Sequence, residues 1–494
     1  MSPSPMRRYL PVLTSLSVLT MYVEMVVLPS LYHIETQFDV SSSEAAWVLS
    51  AETLGGLLVS PVIGKTADAY GKKRTLLSIL AIYTASVIFT SISPSFAFLV
   101  AFRAIQGVGL AVNPIAYTIL RENLDKRELP IAQGIIASTF AVGAAVALPI
   151  GSFISQYYSW QFAYQTAIPI LLTMSWLIFR YIPESKVRVK EPTDYLGILL
   201  LGGAFLSAGI SLTEASSWGW LSLNTLTGFL LSALFLVAFV KREKSTDTPF
   251  IELSELSNPN VAVPLVASFV SGFGLFLMFQ SIIYLFELPK PEGFGMDIIS
   301  TGITLAPVSL IMLVVGPLFG RLSLRVGIRP ILLLTPLVAA LGSLLLGIES
   351  LSYSLTTYDV VVLMFLSMVG IGGMTISRIT LLMVSTSEKR LATITGTNTS
   401  MRLMGNTLGP VLASSLMDTF KVPIYEGMVR GVPLFVFLPG REAFFLIFAT
   451  SAISSLITAA ISTRIKEVYK RSELQRDGPR TVNESSVYTR VRES

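Results

Sequence analysis

Gly64-Lys65-Thr66-Ala67-Asp68-Ala69-Tyr70-Gly71-Lys72-Lys73-Arg74 stands between two long apolar runs, Ala45–Ile63 and Thr75–Ile92. Each run is close to the roughly 20 residues an α-helix needs to cross a bilayer. The stretch therefore reads as a short cationic turn between two membrane helices. Working outward in both directions finds further runs of this kind, from Tyr9–Tyr32 to Ala443–Ile461, fourteen in all. Arg7 and Arg8 precede the first, but it is too long for a signal-peptide core and no small-residue cleavage site follows, so it reads as a retained helix.

Composition agrees. Of 494 residues, 52% are hydrophobic and 14% charged, with mean hydropathy +0.67, whereas a soluble domain carries roughly 25% charged residues. There is no cysteine and a single histidine, His33. That excludes disulfides, thiolate chemistry, histidine metal clusters and most catalytic triads, so neither a metal nor a cofactor is expected. The net charge of +5 is read by location and not as a nucleic-acid surface.

With the N-terminus in the cytoplasm and the runs alternating, the outer loops hold only Lys290, Lys421, Arg430 and Arg441. Arg103, Arg378 and Arg402 fall inside spans, and every other Lys or Arg faces the cytoplasm. This satisfies the positive-inside rule and puts both termini in the cytoplasm. A weaker copy of the opening turn occurs at Gly320-Arg321-Leu322-Ser323-Leu324-Arg325-Val326-Gly327-Ile328-Arg329-Pro330. Both copies have glycines seven apart and a cation two residues beyond the second. Gly143 to Ala147 likewise parallels Gly405 to Gly409 and Pro410. The repeat predicts an all-α membrane protein of two six-helix bundles, residues 9–182 and 261–463, flanking a central helix pair at 195–240. Linkers at 183–194 and 241–260 and a polar tail at 464–494 complete it; the tail's sequon at Asn483 would be cytoplasmic and unused. Gly64-Lys65-Thr66 is no nucleotide loop, since Val59 stands where that loop needs glycine and no strand precedes it.

Arg103-Ala-Ile-Gln106-Gly107-Val-Gly109-Leu-Ala111 in the fourth span resembles the R-x-x-Q-G-x-G-x-A motif of the major facilitator superfamily. The Gly64–Arg74 turn resembles that superfamily's signature between helices 2 and 3. Fourteen spans with a central pair are similar to the EmrB/QacA-type drug:proton antiporter branch, as are Asp194-Tyr-Leu-Gly197 and Arg402-Leu-Met-Gly405. Two positions depart from that branch: Thr20 stands where its first helix carries aspartate, and Ala147-Leu148-Pro149-Ile150-Gly151-Ser152 displaces the proline of its helix 5 motif. The resemblance implies a role in proton movement for Arg103, with Gln106 beside it. It also implies a cytoplasmic gate built from Gly64, Asp68, Gly71, Lys72, Lys73 and Arg74, and an antiporter-like element at Gly143, Pro149 and Gly151.

Charges within the spans are functional by default, because each costs about 2.5–3.5 kcal/mol at mid-bilayer. From the rise per residue, Glu24 lies roughly 12 Å, and Glu52 and Arg103 roughly 10 Å, from the outer ends of their helices. One reading makes Glu24 or Glu52 a proton or substrate coupler; the other makes either a salt-bridge partner that fastens Arg103. Arg402, in a helix rich in Thr, Asn and Ser, is expected to line the path, and Arg378, roughly 9 Å from the cytoplasmic end, to snorkel. Asp68 is either part of a solvated turn or a latch between the bundles. Gln280 and Tyr284 are candidate cavity residues, and His33 an interfacial one. The central pair is expected to lie off the path, and the long 418–442 segment at the interface. No clustered nucleophile, base or ligand set indicates an enzyme. The expected function is a monomeric, multi-pass cell-membrane exporter of small amphipathic or cationic compounds, coupled to protons by alternating access. A metabolite or siderophore permease, or a transporter-shaped sensor, is the alternative.

Overall fold

The computed structural model describes residues 5–124, 129–185, 194–246, 249, 256–386, 391–429 and 432–467. Lys126, Arg127, Lys186, Arg188, Lys190, Lys389, Arg390 and Arg430, on which part of the orientation rests, lie outside these residues, as does the tail from 468 with its sequon. The first half comprises α1 (Pro5–Met25), α2 (Leu31–Phe38), α3 (Ser42–Ala45), α4 (Trp47–Tyr70), α5 (Lys72–Ser91), α6 (Phe96–Gln106), α7 (Val112–Asn123), α8 (Leu129–Tyr157) and α9 (Trp160–Tyr181). α10 (Tyr195–Trp218) and α11 (Leu223–Ser245) follow. The second half holds α12 (Pro259–Glu287), α13 (Ile298–Val326), α14 (Ile328–Ser350), α15 (Thr357–Ser385), α16 (Leu391–Thr419), strands β1 (Lys421–Val429) and β2 (Val432–Pro439), and α17 (Arg441–Ser462).

Among the described residues eleven helices are long and apolar enough to cross a membrane, and twelve if the bent stretch from Ser42 to Tyr70 counts as one span. Against the fourteen expected, α8 and α16 fall short. The described apolar stretch of α8 is only Val142–Tyr157, and α16 is diluted by threonine, serine and asparagine.

Two spans expected to be continuous are broken. α1 ends at Met25 and the chain resumes as a short 3₁₀ turn at Leu28–Ser30 before α2. Pro29 lacks an N–H and its ring would crowd the carbonyl of Met25, so the helix cannot run on. The second break is a 3₁₀ segment at Gly107–Ala111 between α6 and α7, followed by Pro114, whose ring crowds the carbonyl of Leu110 in the same way.

Glycines set the closest helix contacts. A Cβ on Gly107 would sit 2.3 Å from both Glu52 O and Gly56 N, so α4 and the broken fourth span meet backbone to backbone. Gly143 and Gly151 do the same for α8 against α1, facing Met21 and Val26. Gly405 and Gly409 seat α16 against Phe269 and Phe273 of α12, so the glycine repeat read from the sequence marks equivalent helix pairs in the two halves. The halves meet along two seams, α8 on α13 and α4 on α16, and α10 packs against α16 and α4 at the second. Trp47 Nε1 donates to Thr213 Oγ1 at 2.9 Å there.

The chain is not wholly helical. β1 and β2 form an antiparallel hairpin within the 418–442 segment, closed at its base by Gly440 N–H donating to Phe420 O at 2.8 Å. Ile424 and Leu438 pack into the core from one face of the hairpin. The register pairs Tyr425 with Phe435 and Pro423 with Phe437 on the other, leaving the three aromatic side chains exposed.

Candidate functional site

The Gly107 contact places Arg103, one helical turn earlier, directly over α4. Its guanidinium Nη2 pairs with Glu52 Oε2, its Nε donates to Val48 O at 2.7 Å, and its charge lies over the Tyr164 ring at 5.9 Å. Both partners are sealed, Glu52 1% and Arg103 0% exposed. Glu52 therefore serves as the fastening carboxylate, and the pair ties α4, α6 and α9 into one unit. Gln106 is also buried, but its Oε1 accepts from Thr90 Oγ1 at 3.3 Å, so it fastens α6 to α5.

Glu24 differs. It lies at the last turn of α1, beside the break, and is 3% exposed. Its Oε2 has no hydrogen-bond partner among the described residues. It lies within electrostatic reach of Glu52 and Arg103 in its own half and of Arg402 across the seam. A carboxylate held in the hydrocarbon layer without a bonded cation is far cheaper protonated than ionised.

The equivalent region of the second half is basic. Arg378 does not snorkel; it is 1% exposed, because its face of α15 turns inward to α12 and α16. Its Nη1 donates to Asn398 Oδ1 at 3.3 Å, and its Nε is unpaired among the described residues. Arg402 lies within electrostatic reach of it.

The hydrogen bonds described between the halves fall on the side that the sequence reading takes as outer. Ser43 N–H donates to Asp418 Oδ2 at 2.6 Å, and Asp418 also pairs with Lys421 at 2.7 Å. Tyr284 OH donates to Glu35 Oε2 at 2.6 Å, Ser50 Oγ to Thr407 O at 2.7 Å, and Ile299 N–H to Gln156 Oε1 at 2.9 Å. On the opposite side, Gly64 and Gly396 face open space, with nothing among the described residues within 4 Å of a Cβ placed there. Between the halves an apolar cavity lined by Met25, Leu28, Phe276, Phe279, Met312 and Met368 has about 10 Å³ of room for water, enough for about one molecule. Gln280 and Tyr284 do not line it. Gln280 is bonded to Ser414 and Tyr284 to Glu35, so both fasten helices. His33 is exposed at the outer end, edge-on to Tyr32.

In the Gly64–Arg74 turn, Gly71 has φ +110° and a Cβ there would lie 2.4 Å from Glu184 Oε1. That carboxylate accepts from the N–H groups of Lys73 and Arg74 at 3.1 and 3.2 Å, capping α5. The second copy repeats the device: Gly327 has φ +95°, and Glu467 accepts from Ile328 and Arg329 N–H at 3.2 and 3.0 Å. Asp68 reaches Lys72 at 3.2 Å, and Lys72 reaches Glu122 at 2.5 Å. The Asp68 latch between bundles is therefore not formed in this conformation. Asp68 is 54% exposed and its ion pair stays in the first half.

The family profile of the Major Facilitator Superfamily matches residues 13–410. The chain belongs to the Major Facilitator Superfamily. It is a secondary transporter of small molecules in a membrane, not an enzyme. Relatives in this superfamily include Multidrug resistance protein 3 of Bacillus subtilis (strain 168), 26% identical over 75% of this chain and 71% of that protein. Multidrug resistance protein Stp of Mycobacterium tuberculosis (strain CDC 1551 / Oshkosh) is 24% identical over 83% and 75%. Among solved structures, a bacterial homologue of the human lysosomal transporter Spinster, inward-facing and unoccupied, matches with TM-score 0.64 at 16% identity, covering 93% of this chain and 97% of that one.

Sequence reasoning passed over Glu35, Asp418 and Asn398. Glu35 lay beyond the expected end of the first span; the signal for it was the charged Glu35 one turn before Asp39, in a run that stays amphipathic to Phe38.

Proposed function

We propose that this transporter exports small amphipathic or cationic compounds from the cell in exchange for inward-moving protons, with Glu24 as the proton-carrying group. The carrying observation is the contrast between two buried acids: Glu52 bonded to Arg103, and Glu24 with Oε2 unpaired among the described residues and Arg402 of the other half within electrostatic reach. Multidrug resistance relatives support the substrate class. In this reading α8 and α16 also cross the bilayer, giving fourteen spans, with bundles at 9–182 and 261–463 and the pair at 195–240. Both termini lie in the cytoplasm, and the monomer is the working unit. The conformation is open to the cytoplasm, supported by the outer-side bonds and the open space around Gly64 and Gly396. Met25, Met312 and Met368 give the seam an adaptable apolar lining suited to varied greasy cargo.

Proteoliposomes loaded with a pH-sensitive dye and challenged with lipophilic cations test this reading. Cargo addition should drive proton flux in the wild type, and Glu24→Gln should abolish it while the protein still folds. Undiminished proton-coupled flux in that variant removes Glu24 from the mechanism.

A further inference from the structure

One buried cation of the membrane interior has no carboxylate bonded to it among the described residues. Glu52 and Arg103 form a closed pair, and Glu24 faces Arg402. Arg378 remains: no carboxylate among the described residues pairs with it, the like charge of Arg402 is within electrostatic reach, and its bonded partner among the described residues is the neutral Asn398. Asn398 Oδ1 also accepts from Ser268 Oγ, so the one group bonded to Arg378 is a neutral amide oxygen that is already shared. A permanently charged guanidinium is kept within a low-dielectric core only if something supplies the missing negative charge. Its planar fork of donors matches the two oxygens of a carboxylate, or those of a sulfonate or phosphate, better than any neutral group. The donor left over here, Arg378 Nε, is on the α15 side chain that reaches Asn398 of α16, and Arg402 lies one helical turn beyond Asn398 on α16.

We propose that Arg378, Asn398 and Arg402 form an oxyanion subsite, which admits cargo bearing a carboxylate, sulfonate or phosphate group on an amphipathic body beside the cationic compounds. This inference rests on the transport reading above and extends it: zwitterionic and anionic amphiphiles are carried as well, with the oxyanion held by the second half. A cationic end of a zwitterion would then lie toward the first half, where Glu24 is the unbonded acid.

The test uses the full chain in phosphatidylcholine nanodiscs and three probes sharing one ring system: 1-naphthaleneacetate, its primary amide, and 2-(1-naphthyl)ethylamine. Binding is read by calorimetry and stability by the thermal midpoint without probe. In the wild type the carboxylate should bind about tenfold or more tighter than the amide, the worth of a charge-assisted bond. Arg378→Met should erase that preference while leaving the unliganded midpoint unchanged or raised, since it removes an unpaired buried charge. Arg378→Lys, which keeps the charge and loses the fork, should retain part of the preference. Equal binding of carboxylate and amide by the wild type overturns the proposal, as does a preference that survives in Arg378→Met. So does a lowered midpoint in that variant, which would make Arg378 a structural residue. Glu24→Gln separates the two readings: it should lose proton coupling in proteoliposomes yet keep the carboxylate preference in nanodiscs. Coupling retained with the preference intact removes Glu24 from the mechanism and leaves the oxyanion subsite standing.

Discussion

The same substitution at two glutamates of one layer should have opposite consequences for stability. Glu52→Gln removes the one carboxylate that, among the described residues, is bonded to Arg103, whose Nε is already committed to Val48 O and whose Nη1 has no partner among them. The guanidinium is then left buried and uncompensated, and breaking a buried pair from one side costs about 3–5 kcal/mol. Glu24→Gln removes an acid that has no bonded cation among the described residues, replacing it with a neutral side chain of the same shape. It should be neutral or stabilising, because the cost of holding a charge at that depth, about 2.5–3.5 kcal/mol, disappears. Thermal unfolding in nanodiscs, followed by tryptophan fluorescence, measures both variants. Glu52→Gln/Arg103→Met should recover part of the loss, since contacting residues couple by roughly 0.5–3 kcal/mol. Equal losses for Glu24→Gln and Glu52→Gln, or single-site losses that simply add in the double variant, refute the assignment of fastening to one acid and titration to the other.

Gly71→Ala should destabilise by more than about 1 kcal/mol, since φ is positive and the added methyl meets the Glu184 carboxylate; thermal unfolding checks it, and Gly71→Ala/Glu184→Ala should recover the steric part only. Tyr284→Phe deletes the bond to Glu35 and should loosen the outer closure. Because the chain has no cysteine, maleimide labelling of Ser30→Cys, a buried position in α2's lead-in, should speed up in that variant; an unchanged rate counts against Tyr284 as a closing contact. Burial pushes the Asp194 carboxyl up, but the hydrogen bonds from Arg242 and Gly197 outweigh it and hold the group below its ordinary value. A lowered folded-state value stabilises at pH above the unfolded value and is lost as pH falls through the folded one. The midpoint difference between wild type and Asp194→Asn should therefore be constant above about pH 5 and shrink below about pH 4; a difference that grows on acidification contradicts this.

The helix-pair repeat and the cationic turn were legible because each depends on spacing along one chain. Which acid Arg103 would take was not legible, because it depends on the rotation of α4 against α6, and that is set by Gly55, Gly56 and Gly107 together. Arg378 was misplaced for a related reason. Distance from a helix end gives depth, but only the packing of α15 on α12 determines that its side chain points inward. Glu35 escaped because the break at Pro29 lets the first span continue as α2, past the point where an unbroken helix would have left the bilayer. The hairpin was hidden by its apolar stretch, Val432–Leu438, which is too short and too β-branched for a span but was not read as a strand.

Glu184 and Glu467 each come from just beyond the sixth helix of their half and reach back to its third. Each half is thereby closed into a loop by its own trailing residues. As the ribosome extends the chain, the first half can be tied off once Glu184 has emerged, before any of α12–α17 exists. The second half must wait for Glu467, the final residue described, so a chain cut a few residues short of it would leave α14 with its leading amides unsealed, whereas a cut just after it would not.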